Sequence, residues 1–338
     1  MILDTSKLYK PQDAVKHAFQ AAFGAEHMLL DVQKARAYFF EEYMLFHKPA
    51  PLIERISADM VRVNLAAWKE ANLPPMWLFD LFVMSATAPS ENGDADFQKY
   101  MAQIEKLAAK GELPFSYKEW EEYVEEYRKR GTPYAVHHSS DYRQKEKPAY
   151  RIISSPQCKL VPILYCLSGK KSAVIGIDGR TGSGKSEMAE LLAKLFKTKP
   201  ISMDDFFLPA ELRTEERLGS TGGNIHYERF MEEVIPNLRS NLDFSYRPFD
   251  CRQMDFVCKK TIPASSFMVV EGAYSHHPHF GNYLDTRVFS TIDPATQMER
   301  VKKRNGEEAA EFFMEKWIPM EERYFKEFDI EKKADLVV

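Results

Sequence analysis

The feature that most constrains this chain is a glycine-rich segment near its middle. Residues 179–186 read Gly-Arg-Thr-Gly-Ser-Gly-Lys-Ser and complete the pattern G-x-x-x-x-G-K-[ST]. An apolar run from Ala173 to Ile177 precedes the segment, and apolar residues at helical spacing follow from about Lys185. A strand, a glycine-rich turn and a helix in this order form a phosphate-binding loop. The sequence therefore predicts that the chain binds a nucleoside triphosphate.

Each residue type in this segment has a chemical reason to be there. Glycines let backbone N–H groups turn towards phosphate oxygens, and the helix start adds unpaired donors. Lys185 can reach the outer phosphates, and the Ser186 hydroxyl can ligate Mg²⁺. The predicted ATP-binding residues are those of the whole loop, Gly179, Arg180, Thr181, Gly182, Ser183, Gly184, Lys185 and Ser186.

Composition is that of an ordinary globular protein of about two domains. The chain has 338 residues, 44% of them hydrophobic and 28% charged. A net charge of -4 gives no sign of a nucleic-acid-binding surface, and no apolar run is long enough for a membrane span. The four cysteines have no C-x-x-C spacing, and the N-terminus has no signal-peptide pattern. We therefore expect a cytoplasmic protein with no nucleic-acid or membrane partner; its oligomeric state stays open, a homo-oligomer being one alternative.

Residues 1–147 are predicted to form an all-helical domain. Helix starts are expected at Pro11, after Asp31 and at Pro74-Pro75, with further helices over 52–71, 95–109 and 116–130. A charged linker, 144–148, separates this domain from the rest. We find no catalytic or metal-binding pattern here, so the domain could regulate, recognise a partner or bind a second substrate.

Residues 148–338 are predicted to form an α/β domain. After a short strand at 150–153, apolar runs at 173–177, 200–203, 267–270, 288–292 and 334–338 alternate with helices. Continuous apolar strands separated by helices imply a parallel sheet covered on both faces. Ligands of such sheets bind beyond the carboxyl ends of the strands. Acidic residues occupy that edge, namely Asp178, Asp204, Asp205, Glu271 and Asp293.

Two of these acids suit phosphoryl transfer, which needs charge neutralisation and a group that takes the acceptor's proton. Glu271 directly follows four apolar residues, a Walker-B-like position that could hold Mg²⁺ through water. Asp204 is the better candidate for the base.

Taken in order, these segments resemble the uridine kinase/phosphoribulokinase group of P-loop small-molecule kinases, and most of all bacterial uridine-kinase-type proteins. Residues 202–207, Ser-Met-Asp-Asp-Phe-Phe, resemble the group's D-S-F-Y segment, whose Asp is the catalytic base and maps to Asp204. Val270-Glu271-Gly272 matches the group's E-G strand end, and Arg300 and Arg304 resemble its lid arginines. The resemblance covers 173–338, about half of the chain.

Two further segments of the resemblance concern the phosphoryl acceptor. Residues 224–230 resemble the H-P-x-A-F segment beside the acceptor, and 246–250 resemble the Y-D segment that lines its pocket. The first segment departs from the group at Ile225, where an Asp is usual, and at Tyr227, where a Pro is usual. The residues that the resemblance implies for acceptor binding are Asp205, His226, Tyr246, Arg247 and Phe249.

The resemblance implies an ATP- and Mg²⁺-dependent kinase that phosphorylates a hydroxyl of a uridine-like nucleoside or a similar small molecule. Asp204 would act as base, Lys185 and Arg304 would neutralise developing charge, Arg300 would contact ATP, and Ser186 and Glu271 would hold Mg²⁺. Two alternatives stay open. One is a nucleotide-dependent regulatory protein whose helical domain docks a partner, and the other is a kinase for a non-nucleoside acceptor such as a sugar or vitamin precursor.

Three remaining features have weaker interpretations. The histidines of 275–279 are expected in a loop near the acceptor pocket. Arg213 and Arg217 are expected on a flap over the acceptor, where they could bind an anion or face solvent. Residues 321–325 are interpreted as a solvated helix face, with phosphate binding by Arg323 as the alternative.

Overall fold

The protein consists of two compact units. A computed structural model describes residues 1–45, 48, 50–88, 90–131 and 133–338, and of residue 309 only the backbone. Contacts divide the chain into Met1–Val161 (unit 1) and Pro162–Val338 (unit 2). The boundary thus falls after the predicted linker, because the strand at 150–154 pairs within unit 1. In the part of the chain that is described, no helix is both long and apolar enough to cross a membrane.

Helices dominate unit 1, as predicted. They are α1 (Pro11–Phe23), α2 (Val32–Met44), α3 (Leu65–Glu70), α4 (Pro75–Ala86), α5 (Gly93–Ala109), α6 (Tyr117–Lys129), α7 (Ser140–Glu146) and α8 (Ser155–Cys158), with 3₁₀ turns at Thr5–Lys7 and Glu26–Met28. Asp31 caps α2 through the backbone N–H groups of residues 33 and 34. Ser116 and Glu119 form the predicted capping box of α6. Local sequence signals therefore place the starts of α2 and α6 correctly.

Unit 1 also contains a sheet, which corrects the all-helical prediction. Strands β1 (Ile53–Arg55), β2 (Met60–Asn64) and β3 (Tyr150–Ser154) form an antiparallel sheet in the order β1-β2-β3. The helix predicted over 52–71 is wrong except for α3. Strand β2 pairs with β1 on one edge and with β3 on the other, and the pairing with β3 joins residues about ninety positions apart.

A buried polar network lies under this sheet. Arg62 is 3% exposed, and its guanidinium donates to Gln20 Oε1 at 2.7 Å and lies 3.5 Å from Glu54 Oε1. The same guanidinium lies over the Tyr150 ring at 4.7 Å. His138 bonds the Tyr150 hydroxyl at 2.6 Å. Its position is explained by this packing.

Unit 2 is built on a parallel sheet of five strands. They are β4 (Ala173–Gly179), β5 (Ile201–Ser202), β10 (Phe267–Glu271), β11 (Thr286–Ser290) and β12 (Leu336–Val337). Their order is β12-β11-β4-β10-β5, and all four pairings are parallel. Each strand overlaps one of the five predicted apolar runs, so the predicted parallel sheet is confirmed. Two short antiparallel pairs lie outside it, β6 (Phe244–Tyr246) with β9 (Lys260–Ile262) and β7 (Phe249–Asp250) with β8 (Asp255–Phe256).

Helices flank the sheet of unit 2. They are α9 (Val161–Cys166), α10 (Lys185–Leu195), α11 (Glu215–Gly219), α12 (Tyr227–Glu233), α13 (Pro294–Asn305), α14 (Glu307–Phe312) and α15 (Ile318–Glu327), with 3₁₀ turns at Met203–Phe206, Ala210–Leu212, Ile235–Asn237 and Pro278–Phe280. A π-helical turn, Phe313–Trp317, joins α14 to α15. The core combines sheet residues with aromatic side chains such as Phe206, Phe230 and Tyr324.

The register of the sheet brings the ends of three strands together. Glu271 pairs with Ile177 on one side and with Ser202 on the other. Because the strands are parallel, the residues that follow them emerge at one edge. The phosphate loop and Asp204 therefore both start beside Glu271.

Candidate active site

The phosphate loop has the backbone that the sequence predicts. Gly179, Gly182 and Gly184 have φ of 141°, 78° and 94°, a region that side chains with a Cβ rarely occupy. The N–H of Arg180 donates to Ser290 O at 3.0 Å, which ties the loop to β11. Helix α10 begins at Lys185, directly after Gly184. Turn and helix start therefore follow each other as a phosphate cradle requires.

The next two loop residues are held from outside by α15. Arg180 donates to Glu322 at 2.7 and 3.3 Å, so its side chain, like its backbone N–H, is already bonded to protein. Thr181 donates to Glu321 through its N–H at 3.0 Å and its hydroxyl at 2.6 Å. Burial raises the pKa of Glu321, which is 7% exposed, and Lys185 opposes the shift. The interpretation of residues 321–325 as a solvated face is wrong for Glu321, Tyr324 and Phe325, which are all buried.

Two hydroxyl groups donate to Glu271, the carboxylate that is predicted to help hold Mg²⁺. Ser186 donates to Glu271 Oε2 at 3.0 Å, and Ser202 donates to Glu271 Oε1 at 2.7 Å. Burial raises the pKa of Glu271; Asp204 adds to this rise, whereas the Ser202 hydrogen bond and Lys185 oppose it. The structure thus brings Ser186 and Glu271 together, and it adds Ser202, to which sequence reasoning gave no role.

Asp204 is the residue predicted to act as the base. It follows β5 in the 3₁₀ turn Met203–Phe206, and solvent reaches its side chain. The protein nevertheless crowds this carboxylate, and the resulting desolvation raises the pKa of Asp204. Lys185 and Arg304 are close enough to lower that pKa, while Asp205 raises it. The three residues predicted to be catalytic therefore share one electrostatic site beside the loop.

Asp205, by contrast, is paired with protein groups. It accepts from the Tyr246 hydroxyl at 2.7 Å and from Lys260 at 3.0 Å. Burial raises the pKa of Tyr246, and the neighbouring Asp205 carboxylate raises it further, so the phenol stays a donor. The two predicted acceptor-binding residues lie together, but their polar atoms already bond each other.

The other predicted acceptor-binding residues are likewise engaged by protein. His226 caps α12, accepting from the Arg229 N–H at 3.4 Å. Arg247 donates to the carbonyls of Phe256 at 2.8 Å and Val257 at 3.2 Å. Phe249 is buried against Phe256. These contacts shape the segment, and no polar atom of Phe249 is available for recognition.

The predicted lid arginines lie on α13. Arg300 donates to Gly182 O at 2.9 Å and so contacts the phosphate loop directly. Arg304 donates to Asn305 Oδ1 at 2.9 Å and lies over the Phe313 ring at 5.8 Å. Arg304 therefore connects the end of α13 to the π-helical turn.

Other candidates from the sequence are structural. Asp178 is fully buried and accepts from the N–H groups of Gly179 at 2.7 Å and His276 at 2.9 Å and from the Tyr324 hydroxyl at 2.8 Å. Asp293 caps α13. Among the described residues no group of three or more His, Cys, Asp or Glu could hold a metal ion, so the histidines of 275–279 form no such cluster. His276 instead bonds Gly176 O at 3.1 Å.

Tyr274 is a residue that sequence reasoning missed. It lies in the loop after β10 with a φ of 76°, which is unusual for a residue with a side chain. Its hydroxyl is buried without a hydrogen-bond partner. Strained backbone and orphaned polar atoms concentrate at functional sites. No sequence signal reveals a left-handed tyrosine, because Gly and Asn are the residues expected there.

The residues present fit a nucleotide and Mg²⁺. The buried Ser183 hydroxyl has no partner, as expected of a loop group that faces a ligand. The oxygens of Ser186 and Glu271 are the hard donors that Mg²⁺ prefers, and one carboxylate with a hydroxyl suits an ion that keeps most of its waters.

Comparison with solved structures finds likenesses over about half of the chain. A possible uridine kinase from Bacillus stearothermophilus is 18% identical with a TM-score of 0.41, covering 53% of this chain and 95% of that one. A proposed fructose transport system kinase from Silicibacter sp. TM1040 is 18% identical with a TM-score of 0.43, covering 54% and 98%. Protein-family models and curated proteins give no match.

The fold and the loop define the class of unit 2. A parallel sheet with the order β12-β11-β4-β10-β5 and a glycine-rich loop between β4 and α10 is the arrangement of a P-loop fold. The solved structures that resemble it include proteins described as kinases.

Proposed function

We propose that the protein is an ATP-dependent kinase that phosphorylates a hydroxyl of a small molecule. The observation that carries this proposal is the position of Asp204. Its carboxylate lies within electrostatic reach of Lys185, Glu271 and Arg304 at the mouth of the phosphate loop. A nucleotide-binding switch needs no such base, whereas transfer to a hydroxyl does.

The proposed roles follow from the contacts. Asp204 accepts the proton of the attacking hydroxyl, and its raised pKa makes it a better proton acceptor than an ordinary aspartate. Lys185 and Arg304 balance the charge that develops on the transferred phosphoryl group. Ser186 and Glu271 would hold Mg²⁺, Glu271 through water. When bound, the ion would neutralise phosphate charge.

The pairing of cationic side chains with protein oxygens bears on the charge that the acceptor can carry. Five cationic side chains among residues 204–260 donate to protein oxygens: Arg213 to Leu208 O, Arg217 to Glu228 and Gly223 O, Arg229 to Glu233, Arg247 to Phe256 O and Lys260 to Asp205. One nitrogen of Arg229 is buried without a partner, but Glu233 matches its charge. The interpretation of Arg213 and Arg217 as anion ligands therefore loses support.

Two neutral polar side chains of unit 2, in contrast, lack hydrogen-bond partners. Both amide atoms of Asn224 and the hydroxyl of Tyr274 are buried without partners. Buried polar atoms of this kind cost free energy unless a ligand satisfies them. We therefore propose an uncharged acceptor that carries hydroxyl groups, such as a nucleoside or a free sugar, in preference to a phosphorylated sugar.

The test is a panel of acceptors in matched pairs, each with and without a phosphate: uridine with uridine monophosphate, ribose with ribose phosphate, and further nucleosides and sugars. ADP release and product mass are read together with Mg–ATP as donor. We expect transfer to the neutral member of a pair, abolished in Lys185→Ala. ADP release without any phosphorylated product across the panel would favour the regulatory alternative.

We further propose the setting of this activity. The cysteines, all free, are compatible with the reducing cytoplasm that the sequence predicts. No nucleic-acid or membrane partner is part of the proposal, and the oligomeric state, a homo-oligomer included, is left to measurement.

A further inference from the structure

The phosphate loop depends on a residue that lies far from it in sequence. Glu321 is in the first turn of α15, and both of its carboxylate oxygens accept hydrogen bonds from Thr181, which lies 140 positions earlier. Glu321 and Thr181 are both 7% exposed. One residue of the loop is thus bound, at two atoms, to a buried acidic side chain of another element.

This contact is part of a set that fixes the outer side of the loop. Gln297 on α13 donates to Thr181 O at 2.9 Å, and Arg300 donates to Gly182 O at 2.9 Å. Thr181 is therefore held at its N–H, its carbonyl and its hydroxyl. Both of its donors are satisfied by Glu321, so neither its N–H nor its hydroxyl is free to bind phosphate.

Burial of the Glu321 carboxylate costs free energy, because the charge loses its contact with water. Burial raises the pKa of Glu321, which means that its charge is disfavoured in this position. Its hydrogen bonds to Thr181 oppose that shift, and so does the positive charge of Lys185, the loop residue that reaches the phosphates. Residues of the loop itself, Thr181 and Lys185, therefore stabilise the buried charge of Glu321.

We propose that Glu321 is a positioning residue that holds the phosphate loop in its nucleotide-binding conformation before the nucleotide arrives. This inference rests on the proposed binding of Mg–ATP at the loop. A loop that is already ordered loses less conformational freedom when it binds, so preorganisation appears as affinity. Glu321 touches no substrate atom in this account; it acts through Thr181.

The test compares variants by isothermal titration with Mg–ATP and by steady-state kinetics. Glu321→Ala leaves the buried Thr181 N–H without its partner, and we expect about tenfold weaker Mg–ATP binding. Glu321→Gln can still accept the N–H through its amide oxygen while its NH₂ donates to the threonine hydroxyl, so it should stay within about threefold of the wild type. The KM for ATP should move and the KM for the acceptor should not.

Glu322→Ala is the matched control, because Glu322 lies in the same turn but pairs with the partly exposed Arg180 side chain. We expect a change in Mg–ATP affinity of less than about threefold for this control. Should Glu321→Ala fail to fold, Thr181→Ala removes the hydroxyl from the other side of the contact and should also weaken Mg–ATP binding.

Three results would overturn the proposal. The first is wild-type Mg–ATP affinity in Glu321→Ala. The second, where Thr181→Ala has to replace that variant, is wild-type Mg–ATP affinity in Thr181→Ala. The third is an equal loss of Mg–ATP affinity in Glu321→Gln and Glu321→Ala, because it would show that the charge matters and the hydrogen bonds do not. A wild-type protein that binds no Mg–ATP would refute the proposed function itself, and the role of Glu321 would fall with it.

Discussion

Gly179 offers a direct test of the loop geometry, because the structure predicts how badly a side chain fits there. A Cβ at this position would lie 2.0 Å from Ser290 O and 2.7 Å from Ser290 N, both of them backbone atoms of the neighbouring strand β11. Gly179→Ala must therefore separate β4 from β11 at the pair Gly179–Ser290. At Gly184, also left-handed with a φ of 94°, an added Cβ would meet no atom within 4 Å.

The two substitutions share one cost and differ in the other. Left-handed backbone with a Cβ costs about 1–2 kcal/mol at either site. The collision at Gly179 adds about 1–3 kcal/mol, the usual cost of overpacking. We therefore expect Gly179→Ala to lower the free energy of unfolding by about 2–5 kcal/mol and Gly184→Ala by about 1–2 kcal/mol.

The assay is hydrogen exchange with mass spectrometry across a urea titration without nucleotide. Amides of β4 and β11 report unit 2 separately from unit 1. Equal loss of protection in Gly179→Ala and Gly184→Ala would refute the reasoning, since only the first variant is predicted to disturb the contact with β11. Weaker nucleotide binding is expected in both and does not distinguish them.

Further predictions concern single side chains. Asp204→Asn should lower turnover about 10²–10⁴-fold with Mg–ATP binding retained. The pKa of Asp204 is raised in the folded protein, so its ionisation costs stability above the unfolded pKa. The variant, which cannot ionise there, should therefore have a higher Tm at neutral pH. Unchanged turnover would contradict the assignment of Asp204 as base, and wild-type turnover should fall as pH drops through the raised pKa of Asp204. Tyr274→Phe should cost no stability in thermal unfolding, whereas Tyr283→Phe, which loses a 2.6 Å bond to a buried carbonyl, should cost about 1–2 kcal/mol. Equal losses of stability would contradict the inference that the Tyr274 hydroxyl has no hydrogen-bond partner. Arg62→Ala should destabilise unit 1 by at least about 2 kcal/mol in urea unfolding, because it removes two buried hydrogen bonds to Gln20 Oε1 and the packing over the Tyr150 ring, and a loss no larger than that of the exposed Arg55→Ala would contradict this.

Strands and loop of unit 2 could be predicted because their signals are local. The run 173–177 is continuous and apolar, and β4 is buried along its whole length. Asp204 and Glu271 could be chosen as site residues since each directly follows such a run and parallel strands share one edge. Their pairing partners were not needed for the prediction.

What could not be predicted depends on partners that are distant in sequence. Strand β2 carries Arg62 in its centre, and burial of this charge is possible only because Gln20 and Glu54 are brought to it. Glu321 reads as one of several surface acids, and nothing local distinguishes it from Glu322. The difference between them comes from Thr181, which the fold places against one of the two.

The buried carboxylate of Asp178 has a consequence for the time at which the nucleotide site can form. Its three donors come from the start of the phosphate loop, from the turn after β10 and from Tyr324, which lies 146 positions later in the chain. A ribosome that has released residues 162–290 has exposed the whole glycine-rich segment, but not the helix that completes its surroundings. The released chain then holds the N–H donors of Gly179 and His276 but lacks the Tyr324 hydroxyl. Since a buried carboxylate that lacks a donor is disfavoured, the loop should reach its final shape only after α15 has been synthesised. Until then the nascent chain would carry the sequence motif without the site.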